Sequence, residues 1–333
     1  MPLVVINDYS ELDRLCFEPS CIILPRTKWQ DDHPEIHLVL VNEDNVLQAR
    51  CSLWWQHTPE LEGKRTGFIG HFDASDLQDG KELLSYACDL LRQQRCDIVL
   101  GPIDGSTWKT YRFITETSDY PAFFLEPVSK AECLESFIAG GFKPRAEYVS
   151  LMSSSMDWQD NRIDAAAVLL QEQGFALRTI NTSNIDEDLR RIHALSLEGF
   201  SKNVLYTPIT VSEFLRLYEP VKQLINPELV LLVEHNNELV GFIFAIPDIA
   251  QAQRGEHIDT VIIKTLVVSP QFTRRHIGNW LSKTLYDRAR ELGFRQAIHA
   301  LMIEDNISRA MHSAGAKVIR RYTLFSRQTD GDL

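Results

Sequence analysis

Two segments of this 333-residue chain repeat one another, and this repeat constrains the fold more than any other feature of the sequence. The segment Phe137–Lys143 with the later Tyr148 matches Met311–Lys317 with the later Tyr322, at a constant offset of 174 residues. Self-similarity over such a distance indicates two copies of one folding unit in tandem. The length agrees, because about 150 residues per domain predicts two domains.

The order of secondary-structure elements is clearest in the second half. Runs of β-branched and apolar residues predict strands at Glu228–Glu234, Leu239–Ile246, Thr260–Val268, Ala297–Ile303 and Val318–Phe325. Apolar residues at helical spacing predict helices at Asp186–Phe200, Val211–Ile225, Asn279–Leu292 and Ile307–Ala314. Helices that alternate with strands in this way predict an α/β (α+β) fold around a mixed sheet.

The first half repeats part of this order. Gly80 opens a helix that ends near Gln94, as Gly278 precedes the helix that ends near Leu292, and a strand at Asp97–Ile103 follows. We therefore predict a degenerate copy at residues 1–153 and a complete domain at 175–333. Residues 154–174 are predicted to form a linker whose helix, Asp164–Gln173, packs between the domains.

Composition places the chain among ordinary globular proteins, with 44% hydrophobic and 24% charged residues. No apolar run approaches the roughly 18 residues that a membrane helix needs, and the opening Met1–Asp8 lacks the features of a signal peptide. We therefore expect a cytoplasmic protein with no membrane partner. No metal site is expected either, since the six cysteines show no zinc-ligand spacing.

The charge differs between the two halves. Residues 1–174 carry 15 Lys and Arg against 28 Asp and Glu, whereas residues 175–333 carry 19 against 18. Non-specific binding of nucleic acids requires cations that neutralise phosphates. The charge distribution therefore disfavours a nucleic-acid partner but leaves room for a local basic site in the second half.

One such basic site is the loop Gln271–Gly278, between the predicted strand Thr260–Val268 and the helix that follows. With this loop, the order of elements over about residues 175–327 resembles the GNAT superfamily of acyl-CoA-dependent N-acetyltransferases. The resemblance implies two tandem GNAT-like domains, each a mixed, mostly antiparallel sheet flanked by helices. Together with Pro247 and Asp248, the segment Gly199–Thr210 resembles a little-characterised bacterial subgroup of GNAT-like proteins.

In the superfamily, the pyrophosphate of acetyl-CoA lies on a loop with the pattern Gln/Arg-x-x-Gly-x-Gly/Ala. The aligned segment here is Thr273–Gly278, in which Thr273 replaces Gln/Arg and His276 replaces the first glycine. The free amides of a helix N-terminus bind anions, and Arg274 and Arg275 add two charges. The resemblance thus implies acetyl-CoA as co-substrate, bound by Leu266, Val267, Val268, Thr273, Arg274, Arg275, His276, Ile277, Gly278, Asn279 and Asn306. For Asn306, capping of the following helix is an equal alternative.

Acetyl transfer needs a neutral amine, a polarised thioester carbonyl and a proton source for the departing thiolate. The tyrosine that often supplies this proton in the superfamily falls at Met311, and the occasional fourth-strand glutamate falls near Ile262. The remaining catalytic candidates are Glu304, Tyr322 and His299, followed by His312 and Tyr206. Each of them has packing or solvent exposure as an alternative role.

The resemblance implies that the acceptor site is built largely by the segment Gly199–Thr210. Asp248 is a candidate partner for an amine, or a turn residue. In the first half, Asp76 and Asp79 stand where phosphates would bind, so like charges should repel the coenzyme. The distinctive loop Gly101–Pro127 either lines a site or is a connection packed by its aromatic residues.

These observations predict an N-acetyltransferase that moves the acetyl group of acetyl-CoA to a primary amine of a small molecule or peptide. We expect a monomer or homodimer. Two other functions stay open: a catalytically silent acyl-CoA sensor or scaffold, and another acyl or aminoacyl transferase.

Overall fold

The structure is a computed structural model that describes residues 1–17, 24–304 and 316–329. Within these ranges the strands join into one mixed sheet. They are β1 (Leu3–Ile6), β2 (Cys16–Phe17), β3 (Ile36–Val41), β4 (Val46–Trp54), β5 (Thr66–Ala74), β6 (Ile98–Gly101), β7 (Phe113–Thr117), β8 (Lys143–Ser153), β9 (Phe175–Thr179), β10 (Val230–His235), β11 (Glu238–Pro247), β12 (Thr260–Val268), β13 (Gln296–Ile303) and β14 (Lys317–Gln328).

Helices flank this sheet. They are α1 (Arg26–Asp32), α2 (Leu77–Gln93), α3 (Ala131–Ala139), α4 (Asn161–Glu172), α5 (Ile185–Phe200), α6 (Val211–Tyr218), α7 (Ile249–Gln253) and α8 (Ile277–Glu291). A mostly antiparallel sheet with flanking helices confirms the predicted fold class. No helix in the described ranges is both long enough and apolar enough to span a bilayer.

The last strand of each half is exchanged with the other half. The sheet runs in the order β1-β3-β4-β5-β6-β14-β8-β13-β12-β11-β10-β9. The final strand of the chain, β14, therefore lies between β6 of the first half and β8, while β8 pairs with β13 of the second half. The two predicted sheets are thus one continuous sheet, whose centre is built from both halves.

The internal repeat is visible in the helices and in the pairing. Leu83, Ala87 and Leu91 form the fully buried stripe of α2, and Leu281, Leu285 and Ala289 form that of α8. Each of these helices connects two parallel strands, β5 to β6 and β12 to β13.

A β-bulge marks the same strand in both halves. In β12, Lys264 is the extra residue between Ile263, opposite Ala245, and Thr265, opposite Phe244. In β5, the register against β4 shifts at His71, whose φ of 47° lies in the left-handed region. A bulge re-aims a side chain and interrupts the regular ladder, and bulges are common next to active sites.

Three local predictions compare with the structure as follows. The predicted helix Val211–Ile225 is α6 followed by a 3-10 turn at Glu219–Leu224, because Pro220 cannot donate an i→i−4 hydrogen bond. The predicted linker helix is α4, and it packs against α8 and β9 of the second half. The predicted helix Ile307–Ala314 lies outside the described residues.

The core at the centre of the sheet mixes the two halves. Its buried members include Phe68 and Leu100 of the first half, Tyr148 of β8, and Tyr322 and Leu324 of β14. Packing of side chains from both halves into one cluster predicts that they unfold together.

Leu324→Ala tests this coupling. Leu324 is 1% exposed, so its truncation should lower the free energy of unfolding by about 2–5 kcal/mol. Hydrogen–deuterium exchange should show reduced protection in β5 and in β12 together. The matched control is Leu47→Ala, an equally buried truncation in a separate cluster at the outer part of the first half. Loss of protection confined to one half in Leu324→Ala would contradict the shared core.

Candidate active site

The N-terminus of α8 is open. Its N-cap residue, His276, has a φ of 62° and makes no side-chain hydrogen bond to the first turn. Arg274, with a φ of 66°, also lies in the left-handed region that glycine usually occupies. The first amides of α8 therefore have no side-chain cap, and a helix end in this state favours an anion.

Most of the predicted coenzyme residues line one cleft at this helix end. The lining residues are Val268, Phe272, Thr273, Arg274, Arg275, His276, Ile277, Gly278 and Asn279. A Cβ built on Gly278 would lie 3.7 Å from Val268 Cγ2 and 3.9 Å from Leu266 Cδ2, so Leu266 lies directly below the loop. Arg275 lies over the ring of Phe272, at 5.8 Å.

One predicted coenzyme residue, Val267, lies apart from this cleft. The side chain of Val267 is buried against α5, where its Cγ1 would be 2.5 Å from a Cβ on Gly199. Asn306 lies outside the described residues. The role proposed for Val267 is therefore restricted to its backbone.

The matching helix end in the first half is closed by its own carboxylate. Asp76 is the N-cap of α2 and accepts a hydrogen bond of 2.9 Å from the amide of Asp79. Asp79 is also buried, and burial raises the pKa of its carboxyl. A carboxylate thus occupies the position that a phosphate would need, as the two aspartates in the sequence suggested.

The strand edge beside the helix end is also open in the second half and covered in the first. Pairing between β12 and β13 ends at Ile263 and His299, and no described strand pairs with that edge of Lys264–Val268. In the first half the corresponding edge is covered, since the amide of Ile103 donates to Ile69 O at 2.9 Å. The amide of His71 then donates to Asp104 Oδ1 at 2.6 Å.

A buried polar network reinforces this closure in the first half. His71 Nε2 lies 2.8 Å from Asp32 Oδ2, and His71 Nδ1 lies 2.9 Å from Ser52 Oγ. Among the described residues, Asp32, His71 and Asp104 form a group with metal-ligand chemistry. Both carboxylates already pair with lysines, Asp32 with Lys109 at 2.7 Å and Asp104 with Lys28 at 2.5 Å. The network therefore joins the start of the loop Gly101–Pro127 to β5 and α1.

In the second half, the bulge residue Lys264 lies where β12 and β13 diverge. Burial, and then the charge of Arg112, lower the pKa of Lys264 to about 8, while the charge of Glu126 acts in the opposite direction. Both of these neighbours belong to the loop of the first half. Charges from the first half therefore act on the lysine at this point of the second half.

Glu126 is the centre of a buried hydrogen-bond network. Its carboxylate accepts from the hydroxyl of Tyr322 at 2.8 Å and pairs with Arg320 Nε at 3.1 Å. Ser150 Oγ lies 3.0 Å from the same hydroxyl and accepts from the amide of Leu301. Burial raises the pKa of Glu126 despite these partners. The proton of Tyr322 is thus committed to Glu126 in this arrangement.

The structure does not bring the three predicted catalytic residues together. His299 Nε2 is 2.7 Å from the hydroxyl of Tyr286 on the α8 side of the sheet, and burial lowers its pKa to about 4. Glu304 pairs with Arg321, which neighbours Tyr322 on β14 and therefore projects to the other face. Tyr322, on the face opposite His299, donates to Glu126, whose charge acts on Lys264.

The segment predicted as the loop Gly101–Pro127, which contains the short strand β7, covers the predicted acceptor segment Gly199–Thr210. Trp108 Nε1 donates to Thr207 O at 2.8 Å, and its ring packs against Phe200, Tyr206 and Phe214. Of the two alternatives stated for this loop, the connection packed by aromatic residues is seen directly. The loop also carries Arg112 and Glu126, whose charges act on Lys264. That the loop lines a site stays a prediction.

Asp248 anchors the same loop. Its Oδ1 accepts from the amide of Phe124 at 2.8 Å and from the amide of Ala250 at 3.2 Å, where it caps α7. Its Oδ2 is buried without a hydrogen-bond partner in the described structure, and burial raises the pKa of this carboxyl. Of the two roles stated for Asp248, the turn role is seen directly.

Lys264, Arg112 and Glu126 were not among the predicted site residues. Lys264 had one signal, since it is the single charge in the apolar strand Thr260–Val268. The other two had none beyond their place in a distinctive loop, because their electrostatic effect on Lys264 depends on how the two halves pack.

Comparison with known proteins agrees with this architecture. Residues 194–316 match the acetyltransferase (GNAT) family. Protein YghO of Escherichia coli (strain K12) is 22% identical over 81% of this chain and 76% of its own length. A bacterial ceramide synthase of Caulobacter vibrioides (strain NA1000 / CB15N) is 21% identical over 96% of this chain and 91% of its own length.

A solved structure extends the match to both halves. The tandem GNAT protein from the clavulanic acid biosynthesis pathway covers 100% of this chain and 100% of its own, with a TM-score of 0.51 and 12% identity. At this identity the likeness concerns the fold. The second half thus matches the acetyltransferase (GNAT) family over residues 194–316, and the chain as a whole has the fold of a tandem GNAT protein.

Proposed function

We propose that this protein transfers the acetyl group of acetyl-CoA to a primary amine of a small molecule or peptide. The observation that carries the proposal is the open N-terminus of α8 beside Arg274 and Arg275. The first half supplies an internal comparison, because the same helix end there holds the carboxylate of Asp76. An anion therefore fits this geometry, and in the second half the position is free for a pyrophosphate.

The edge of β12 supports the rest of the coenzyme. From Val268, below the phosphate loop, to Lys264 the strand extends for about 13 Å, at ~3.3 Å per residue. No described strand pairs with this edge, so its backbone groups can bond to the amides of an extended pantetheine arm. The arm would bring the thioester to the point where β12 and β13 diverge. When bound there, acetyl-CoA supplies an activated acyl group.

The acceptor would approach from the face covered by the loop Gly101–Pro127 and by the segment that joins α5 to α6. Two buried carboxylates, those of Glu126 and Asp248, lie on this side, and Asp248 Oδ2 has no hydrogen-bond partner in the described structure. Carboxylates of this kind favour a positively charged or hydrogen-bond-donating group such as an amine. We include no nucleic-acid partner in the proposal, because the first half has an excess of acidic residues.

Turnover separates this proposal from a silent sensor. Release of CoA thiol from acetyl-CoA is measured with a panel of primary amines, and a sensor would bind CoA without releasing thiol. A relative over nearly the whole chain is called a bacterial ceramide synthase, so the panel also contains long-chain amines and long-chain acyl-CoA donors. Activity with long-chain donors alone would replace the acetyl group in the proposal.

Replacing both loop arginines tests the phosphate site. Arg274→Ala with Arg275→Ala should weaken CoA binding about 10- to 100-fold, because two charge-assisted contacts to phosphate are lost. Isothermal titration calorimetry should give one site per chain in the wild type. Arg190→Ala is the control, since Arg190 is an exposed arginine of α5. Equal affinity in the double variant and the wild type would remove the phosphate assignment.

Gly278 tests the same site by a different route. Gly278→Asp should abolish CoA binding, because a negative charge would stand beside the pyrophosphate. The fold should persist, since acidic residues are favourable in the first turn of a helix. Gly278→Ala is the matched control: its Cβ would meet Val268 and Leu266 only at ordinary contact distances, so binding should be retained. Tight binding by Gly278→Asp would show that the coenzyme lies elsewhere.

A further inference from the structure

Lys264 occupies a special position in the second half. It is the bulged residue of β12 and the first residue after the strand's pairing with β13 ends. Regular alternation places Lys264 on the same face as Ile262, and the bulge places Thr265 on a similar side as Lys264 instead of on the opposite one. Ile262, two residues earlier, packs on the face covered by α5 and by the first-half loop. Lys264 is directed to that same face, where Arg112 and Glu126 lie.

The other cations on this face already have partners. The guanidinium of Arg112 lies 3.8 Å and 4.0 Å from the ring centres of Tyr111 and Tyr148, and its Nε donates to the carbonyl of Tyr111. Arg320 pairs with Glu126 and donates to the carbonyl of Tyr120.

For Lys264, no hydrogen bond or ion pair is found among the described residues. Its amine is therefore available to a reacting group at this place.

The charged and titratable groups that face this region come from several elements. Arg112 and Glu126 belong to the first-half loop, Tyr148 to β8, and Arg320 and Tyr322 to β14. Burial and Arg112 disfavour the ammonium form of Lys264, and Glu126 favours it. Together these effects lower the pKa of Lys264 to about 8, so both its neutral and its charged form are accessible near this pH.

We propose that Lys264 is a catalytic residue that accepts the proton of the attacking amine and then returns it to the departing thiolate. This inference rests on the proposed function and names the proton carrier for that reaction. It also gives the first half a part in catalysis, since Arg112 and Glu126 act on Lys264 as positioning residues.

The proton balance of the step is complete. The amine nitrogen bonds to the thioester carbon, and neutral Lys264 takes one proton from that nitrogen. The carbon–sulfur bond then breaks, and its electron pair leaves with sulfur. Lys264 gives its proton to this thiolate, so the products are an amide and free CoA thiol. A thiol has a pKa near 8.5, so a lysine with a pKa of about 8 is suited to both transfers.

The central experiment compares Lys264→Arg with the wild type. Arginine keeps the length and the positive charge but cannot lose a proton at pH 8. We expect kcat for acetyl transfer, measured with the best amine of the panel, to fall about 100-fold or more. CoA affinity by calorimetry should stay within about twofold. Lys81→Arg, at an exposed lysine of α2, is the control and should leave kcat unchanged.

The pH dependence of kcat distinguishes a catalytic role of Lys264 from a purely structural one. Wild-type kcat should rise with pH through an apparent pKa near 8. This rising limb of the pH profile should be absent in Lys264→Arg. Glu126→Gln removes the carboxylate that favours the ammonium, so it should shift the limb to lower pH. If Glu126→Gln does not fold, Arg112→Gln takes its place and should shift the limb to higher pH.

Three results would overturn the inference. One is full activity of Lys264→Arg, and the second is a limb near pH 8 that persists in that variant. The third is stable, stoichiometric acetylation of Lys264 by acetyl-CoA alone, since an amide on Lys264 could not pass its acyl group onward. Loss of CoA binding in the wild type would instead contradict the proposed function, so the two failures are distinguishable.

Discussion

The pairing of β14 with β6 and β8 is the interaction on which the rest of the structure depends. This strand is the last of the chain, yet its neighbours belong to the first half. Because β8 in turn pairs with β13, neither half has a complete sheet of its own. The exchange brings the loop Gly101–Pro127 over the second half, where Trp108 donates a hydrogen bond to Thr207 and Phe124 donates one to Asp248. The site is therefore a product of the strand exchange.

The two copies show how one backbone geometry gives an open and a closed site. Both have a parallel strand pair, a bulge and a helix that starts beside the diverging strands. In the first copy, Asp76 caps the helix and Asp104 covers the strand edge. In the second, His276 leaves the amides free although it stands in a glycine conformation. Few side chains thus decide which copy has a capped helix end and which has an open one.

Local sequence pattern predicted much of the fold but less of the candidate site. The stripes of α2 and α8, the strand Thr260–Val268 and the loop Thr273–Gly278 were predictable, because each is encoded in adjacent residues. The strand exchange was not, since a sheet order depends on non-local pairing. For the same reason the sequence could not show that His299 and Tyr322 lie on opposite faces. Nor could it show that the charge of Glu126 acts on Lys264, since the two residues belong to different halves.

The closed first copy is more than a remnant in this architecture. Its buried network of His71, Asp32 and Asp104 fixes the start of the loop that carries Arg112 and Glu126. Those two residues act on Lys264, one disfavouring its charge and the other favouring it. The loop Gly101–Pro127 therefore connects the closed helix end of the first half with the residues that act on the pKa of Lys264 in the second half. The second copy without the first would lose the two charges that act on the pKa of its lysine.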